Sequence, residues 1–550
     1  MPLLLRPVAA LAPRGILVLI VLLASCAEPQ PLPADPTGRL FGRGLDQIAE
    51  LYIVPVSSRM LALAAAARLS QLDPKFTVFE TPGPQEKTEL ALDYGGRDVA
   101  TYPIPSNDDP HLWGGWLGHL LADAKAASPT LATLSQDKID ETLFNGIIGA
   151  LDRFSRYASP EAARDQRAAR DGFGGIGVTF DPSPDRFRII KVLPGGPADL
   201  AGIRAGDTIV AINGQPTTGR SQNDVIHLLR GPIVSSVVVG IDRPGIAQSH
   251  YYRLQRALIV EPTVTLSRDR DIAIFHISSF NQNTTQQLVE ELDTVKREMS
   301  PRLIGVVLDL RGDPGGLLDQ AVSLSDVFIN KGPIVATVGR NPASRQFFEA
   351  SGDSIAPQIP IVVLVNGGSA SASEIVAAAL QDAGRAVVVG TASYGKGTVQ
   401  TVLRLPNNGE LTLTWAQLVA PAGYLLNEHG VVPTLCTSDL DDDDQSVRIA
   451  VLRASGLSAV SPLTVRPRAT LDDSGWEQLR RSCPPRDGDR TIDLAVAERL
   501  LADPVLYGQA AHVIGTAPNL AVRPTGATPI TADRDLTGVG GSLSSGSGNP

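Results

Sequence analysis

Ile361-Val362-Val363-Leu364-Val365-Asn366-Gly367-Gly368-Ser369-Ala370-Ser371-Ala372-Ser373-Glu374-Ile375 is an apolar run, a glycine turn and the opening of a helix near Ser373. Read outward, the same alternation continues on both sides. Ile272 to His276 reads as a strand, Thr284 to Glu298 as a helix, Leu303 to Leu310 as a buried strand and Leu317 to Phe328 as a helix. After the quoted stretch come a helix to Asp382 and a strand from Ala386 to Val389. Strands alternating with helices of this length predict α/β layering on parallel strands.

The chemistry is concentrated in the turn. Free N–H groups at a helix N-terminus hold an anion, and the tetrahedral intermediate of acyl transfer carries one. A serine there is therefore a candidate nucleophile. Serines also cap helices, and Ser373 is assigned only that duty. None of the seven histidines stands at a readable spacing from supporting acids; His276 is within a strand and His429 in a late loop. His111 and His119 read as surface or packing residues. A desolvated lysine, neutral near pH 7, is the other base available. Lys396 fits: it follows an apolar strand, stands between Gly395 and Gly397, and has no carboxylate within several residues. Gly390 to Lys396 also spells most of a phosphate-binding loop, but Gly397 replaces the required Ser or Thr and a strand, not a helix, follows. Ser393-x-x-Lys396 has the spacing of penicillin-binding proteins, which works on one helical turn that Gly395 and Gly397 disfavour.

Further out the texture changes twice. From Gly172 the sequence gives short β-branched runs (Gly175–Phe180, Phe187–Val192, Thr208–Ile212, Val234–Ile241), with helices near Ala198–Ala201 and Ser221–Leu229. Between Gly38 and about Ala169 the apolar spacing is helical, at Leu45–Leu51, Met60–Leu72, Trp113–Ala127 and Lys138–Arg153. At the N-terminus, Arg6 and Arg14 precede the short apolar run Ile16 to Ala24, too short to span a bilayer and right for a signal peptide. It ends Leu23-Ala24-Ser25-Cys26, which resembles a bacterial lipobox. Cys26 would then be lipidated, and the Pro-rich stretch after it would be a tether. Cys436 and Cys483 are left; in an oxidising compartment they either stay free or form one disulfide closing the C-terminal segment, and their spacing does not decide which. The acidic run Asp441–Asp444 lacks the ligand spacing of a Ca²⁺ loop and reads as a solvated turn. With 550 residues the chain suggests several domains. Its net charge of −10 argues against a nucleic-acid binder.

Gly-Ser-Ala-Ser-Ala-Ser-Glu-Ile (368–375), followed by Tyr-Gly-Lys-Gly-Thr-Val-Gln (394–400), resembles the carboxyl-terminal processing peptidases, or tail-specific proteases. The resemblance runs from about Asp140 to Pro433 and includes Leu151-Asp152-Arg153-Phe154-Ser155-Arg156-Tyr157. It implies a PDZ-containing Ser–Lys serine protease with a crotonase/ClpP-like α/β core. Ser371 would be the nucleophile, Lys396 the base and Gln400 the residue that orients the lysine. Asp309-Leu310-Arg311-Gly312-Asp313-Pro314-Gly315-Gly316 would form the oxyanion hole with the amide of Ala372, through Gly315 or Gly316. The family usually has Asn at the position of Asp313. The β-rich module resembles a PDZ domain in four motifs: Gly174-Gly175-Ile176-Gly177, Pro194–Ala198, Gly202–Asp207 and Ile212–Gly214. The first would bind a substrate C-terminus by β-augmentation. Ala422-Gly423-Tyr424 lacks the Arg usual after Gly, and Pro433-Thr434 replaces Pro-Asp, which touches substrate preference more than chemistry.

The expected division is a lipoprotein signal peptide (1–25), a tether (26–37), a helical N-terminal region (38–169), a PDZ domain (170–260), a Ser–Lys core (261–435), a C-terminal helical segment (436–515) and a disordered tail (516–550). The expected activity is endopeptidase cleavage of cell-envelope proteins with exposed C-termini. It would occur on the periplasmic side of a bacterial envelope, with no metal or cofactor and with an adaptor protein among its candidate partners. An inactive PDZ scaffold is the alternative.

Overall fold

The computed structural model describes residues 35–83, 88–181, 187–455, 468, 471–512 and 528–531. The expected signal peptide, Cys26 and residues 27–34 of the tether lie outside the described residues, as does most of the expected tail. Helix α1 (Pro36–Leu51) begins inside the expected tether, because the Asp35 carboxylate caps Thr37 N and Gly38 N and Pro36 fills the first helical position. It is followed by α2 (Ser58–Ala66) and α3 (Leu69–Leu72). An antiparallel sheet then interrupts the region read as helical: β1 (Phe76–Pro82), β2 (Thr88–Tyr94) and β3 (Asp98–Pro103). Its β-branched and aromatic residues outweigh the helical spacing around them. Helices α4 (Pro110–Ala127), α5 (Pro129–Thr133) and α6 (Gln136–Ile148) complete this unit around Phe41, Trp113 and Phe144.

Strand β4 (Arg156–Ala158) and helix α7 (Pro160–Asp171) lead to the β-rich module. It comprises β5 (Phe173–Gly175), β6 (Val178–Phe180), β7 (Phe187–Val192), α8 (Pro197–Leu200), β8 (Thr208–Ile212), β9 (Gln215–Pro216), α9 (Gln222–Leu229), β10 (Ser236–Asp242), β11 (His250–Gln255) and β12 (Ala257–Ile259). The run read as one strand from Gly175 is split, because Gly177 turns with φ of 75°. The sheet order β11-β10-β8-β7-β6 leaves β6 at an edge, and β5 pairs with β12 apart from it.

The core follows the alternation expected from sequence. It runs through β13 (Val264–Asp269), β14 (Ile272–Ile277), α10 (Thr284–Met299), β15 (Gly305–Asp309), α11 (Leu318–Asp326), β16 (Pro333–Val338), β17 (Gln346–Glu349), β18 (Ile361–Val365), α12 (Ala372–Asp382) and β19 (Val387–Gly390). After it come β20 (Thr398–Arg404), β21 (Glu410–Val419) and β22 (Leu435–Cys436). The sheet order is β13-β14-β15-β18-β19-β22, parallel from β14 onward. Both faces are covered, which is why these strands are apolar at every position. Val306, Leu308, Val363 and Val388 pack with α10, α11 and α12. Val307, Val362, Leu364 and Val387 pack under the C-terminal helices α13 (Asp444–Ser455), α15 (Thr491–Leu501) and α16 (Pro504–His512). Between them α14 (Asp473–Ser482) lies against the first layer through Trp476. Cys436, in β22, is joined to Cys483, just after α14, by a disulfide. Among the described residues no helix is long and apolar enough to cross a membrane.

Candidate active site

Three neighbouring parallel strands, β15, β18 and β19, deliver three turns to one end of the sheet, the carboxyl end where α/β sheets hold ligands. The turn after β15 carries Gly315 and Gly316, that after β18 carries Ser371, and that after β19 carries Lys396. All four residues, with Ala372 and Gln400, line a single cavity of about 400 Å³.

Of the alternating serines, only Ser371 opens onto this cavity. Ser369 and Ser373 are fully buried. Ser369 Oγ donates to Leu310 O (2.8 Å) and Ser373 Oγ to Asp313 O (3.1 Å), so both lock the serine turn to the glycine turn. The capping duty expected of Ser373 is therefore not its role; it sits inside α12, and Ser371 holds the N-cap position. Ser371 has φ of 58° and ψ of −110°, an unfavourable backbone for a non-glycine residue, and such strain clusters at functional sites.

Glu374 holds the nucleophile and base candidates together. Its carboxylate is wholly buried and accepts from Ser371 N (2.8 Å), Lys396 N (2.9 Å), Gly395 N (2.7 Å) and the Ser393 hydroxyl. The first two bonds end on the same oxygen, so the two backbones lie within two hydrogen-bond lengths of each other. Residue types and spacing alone assign Glu374 no part in the site. Its position three residues after a helix-capping serine is a signal that could have drawn attention to it.

The Lys396 amine stands 5.4 Å from the centroid of the Phe154 ring. Burial pushes its pKa below the ordinary lysine range, the neighbouring Arg156 charge pushes the same way, and Glu374 opposes them. Phe154 and Arg156 belong to the 151–157 motif, whose spacing does not by itself tie them to the lysine. Gln400 lines the cavity, yet its amide donates to Thr398 Oγ1 (2.8 Å) and Thr414 Oγ1 (3.4 Å) rather than reaching Lys396. A register shift between Val399 and Gln400 in the β20–β21 pairing accompanies that aim.

The glycine turn separates its two glycines. Gly315 N donates to Asp313 Oδ1 (2.7 Å), and its Cα faces the serine turn: a Cβ there would lie 2.8 Å from Ala372 N. Among the described residues Gly316 N has no acceptor, and Gly316 pairs with Phe280 as a parallel bridge. Asp313 is fully buried, its Oδ2 has no partner among the described residues, and burial raises its pKa to about 7. No charged group contributes to that shift.

In the β-rich module a second cavity, of about 240 Å³, lies between edge strand β6 and α9. Gly175, Ile176 and Gly177 line it with Phe180, Ile226 and Leu229. Gly174 does not; it pairs with Leu258 between β5 and β12. Arg230, on the rim, stacks 4.0 Å over Phe173 and pairs with Asp165 of α7. The same helix presents Gln166, Ala169 and Arg170 to the first cavity. Among the described residues no cluster of His, Cys, Asp and Glu is grouped to hold a metal, and in the acidic run Asp442 and Asp443 cap Ile492 N and Ser446 N.

Residues 271–436 match Peptidase family S41, and residues 188–243 match the PDZ domain. A carboxy-terminal-processing protease of Bartonella bacilliformis is 38% identical over 54% of this chain and 69% of its own length. The chain belongs to the carboxy-terminal processing proteases. It is an enzyme of the serine peptidase class. The carboxy-terminal processing protease CtpA of Bacillus subtilis is 31% identical over 54% of this chain and 63% of its own length. A photosystem II D1 C-terminal processing protease of known structure shares 26% identity over 69% of this chain and 92% of its own, with a TM-score of 0.32. As a carboxy-terminal processing protease, the chain joins a PDZ module to an S41 core, the architecture expected from its motifs.

Proposed function

We propose that this protease captures the C-terminal tails of proteins on its PDZ module and cleaves them through Ser371 and Lys396. One observation carries the reading: Ser371 and the half-buried Lys396 open onto one cavity while a single oxygen of Glu374 binds the backbone of both. Neutral Lys396 takes the hydroxyl proton as Ser371 Oγ attacks the scissile carbonyl carbon. The oxyanion that forms is held by backbone N–H groups, those of Ala372 and Gly316. Collapse breaks the C–N bond, and the lysine passes its proton to the departing amine. Water then attacks the ester with Lys396 as base, releasing the acid and restoring the serine.

Gln400 shapes the cavity wall from β20 and keeps Thr398 and Thr414 in place, while Gly315 sets the turn. The tail would add to edge strand β6 with its last side chain in the cavity beside Ile226 and Leu229. The apolar leader before Cys26 supports export and lipid anchoring on the periplasmic side of the envelope, where the substrates would be envelope proteins. Incubating the purified protein with an unfolded-tailed protein, beside Ser371→Ala and Lys396→Ala, tests the chemistry. Cleavage by the native protein alone is expected. Equal cleavage by all three would remove the assignment.

A further inference from the structure

The segment after Cys436 lies beyond the matched S41 region, and nothing in the sequence reading gave it a task. In the fold it returns to the active-site end of the sheet and bonds all three turns there. Arg486 O accepts from Gly367 N (2.8 Å), in the serine turn, and Gly488 O from Asn366 Nδ2 (3.0 Å). Arg486 N donates to Thr391 Oγ1 (3.1 Å), at the start of the lysine turn. Arg490 O accepts from Arg311 Nη1 (2.7 Å), and Asp493 pairs with the same guanidinium at 3.4 Å, at the base of the glycine turn.

The deepest reach is made by Arg480, on α14. Its guanidinium donates to His429 O and to Ser393 O (3.1 Å). Gly430 lies where these groups meet: a Cβ on it would be 2.6 Å from Ser393 Oγ, 2.8 Å from Arg480 Nη1 and 3.0 Å from Glu374 Oε1. The guanidinium and the carboxylate that fastens Ser371 N and Lys396 N thus flank the same Cα; burial pulls the Arg480 pKa down and the charge of Glu374 holds it up. The same helix packs Trp476 on His429 (4.6 Å between ring centroids) and on Tyr424 (4.7 Å). The loop so gripped supports the lysine turn from behind, since Glu428 N donates to Gly395 O (2.9 Å). The disulfide to Cys436 fixes the arm just past Arg480.

From this geometry we infer that the C-terminal arm, residues 473–493, is a positioning element of the active site, acting on Glu374 and the lysine turn chiefly through Arg480. The inference rests on the Ser371–Lys396 reading. Arg480 touches no reacting atom; it is a cation set across Gly430 from a buried carboxylate, and it fixes the carbonyl of Ser393, whose hydroxyl that carboxylate also binds. A buried carboxylate that loses its facing cation is driven toward the neutral form, in which one oxygen ceases to accept freely. The backbone held by that oxygen, Gly395 N on Oε1 or Ser371 N and Lys396 N on Oε2, then loses its fixed acceptor. Small displacements of a reacting group are costly, with a shift of about 1 Å worth on the order of a hundredfold in rate.

The test compares full-length native protein, Arg480→Met and Arg480→Lys by two readouts. One is the rate at which a fluorophosphonate labels Ser371; the other is kcat and KM for β-casein, an unfolded protein with a free C-terminus. Arg480→Met should lower the labelling rate and kcat by about ten- to a hundredfold, with KM within about threefold. Arg480→Lys, which keeps the charge and can reach one carbonyl, should recover part of the loss. An Arg480→Met protein that melts as the native one and is labelled within about twofold of its rate would overturn the inference. Should Arg480→Met fail to fold, Arg480→Lys decides: an intermediate labelling rate supports the role and an unchanged rate overturns it. A native protein that is not labelled at Ser371 at all and does not cut casein overturns the underlying reading instead.

Discussion

Replacing Gly315 by Ala isolates the geometry of the oxyanion turn. Gly315 has φ of 93°, and a Cβ there would lie 2.6 Å from Ala370 O, 2.8 Å from Ala372 N and 2.9 Å from Ser371 Cβ. Every one of those atoms belongs to the serine turn, and two are backbone, so the turns must move apart. The positive φ alone costs an L-residue about 1–3 kcal/mol. Displacement of an oxyanion donor costs about 2.7–4 kcal/mol in the transition state, a hundred- to thousandfold in kcat. Gly312 provides the control: φ is 69°, but a Cβ there would meet nothing within 4 Å. Gly312→Ala should therefore carry the backbone strain and keep its turnover. Steady-state kinetics on β-casein, with melting curves beside them, read both effects. The expected pattern is a kcat loss of about a hundredfold for Gly315→Ala and less than about threefold for Gly312→Ala, with a fall in melting temperature for both and the larger one for Gly315→Ala, where the clash adds to the strain. Gly315→Ala turning over at the native rate would refute the close approach of the two turns as a catalytic requirement.

Other consequences can be measured directly. In the proposed mechanism Lys396 works as the free amine; its pKa is lowered by burial and by Arg156, so activity should rise as pH increases through that lowered value. Arg156→Gln should move the rise to higher pH by removing a like charge, visible in kcat/KM profiles. Asp313 has a folded pKa of about 7 against 3.8 for a free side chain, so between those values the folded state binds the extra proton and stability falls as pH rises. Asp313→Asn, which cannot ionise, should raise the melting temperature at pH 8, by up to about 4 kcal/mol of stability, and by progressively less toward pH 4; equal gains at both pH values would contradict the buried carboxyl's ionisation. Ile226→Asp, which puts a charge in the PDZ cavity, should weaken binding of an apolar-ended peptide by at least about tenfold in anisotropy titrations. Fluorophosphonate labelling of Ser371 should be unaffected.

The parallel core was legible because β15, β18 and β19 are covered on both faces and so read as continuous apolar runs ending in glycine turns. The residue types proposed to carry the chemistry sit in those turns, where local spacing exposes them. What covers the second face of the sheet was not legible: Ile492, Val496 and Leu500 meet Val362 and Val387 from more than a hundred residues away, and helical spacing names no partner. The sheet β1–β3 escaped for a related reason, since its short strands stand between strongly helical stretches and are recognised only by pairing. The resemblance implies that Gln400 orients Lys396; in the fold it lines the same cavity while its amide donates to Thr398 and Thr414, beside a register shift that no spacing reveals. The work of Glu374 was hidden differently. Four donors from two stretches of the chain, Ser371 and residues 393–396, converge on it only in the fold, where α12 brings it under the lysine turn.

The most direct measurement is the pH dependence of fluorophosphonate labelling, with the adduct mapped by mass spectrometry. The adduct should fall on Ser371, form at a rate that climbs to a plateau below the ordinary lysine range, and vanish in Lys396→Ala. An adduct on Ser369 or Ser373, or labelling of Ser371 at the same rate at every pH and without the lysine, would contradict the pairing of this hydroxyl with this amine.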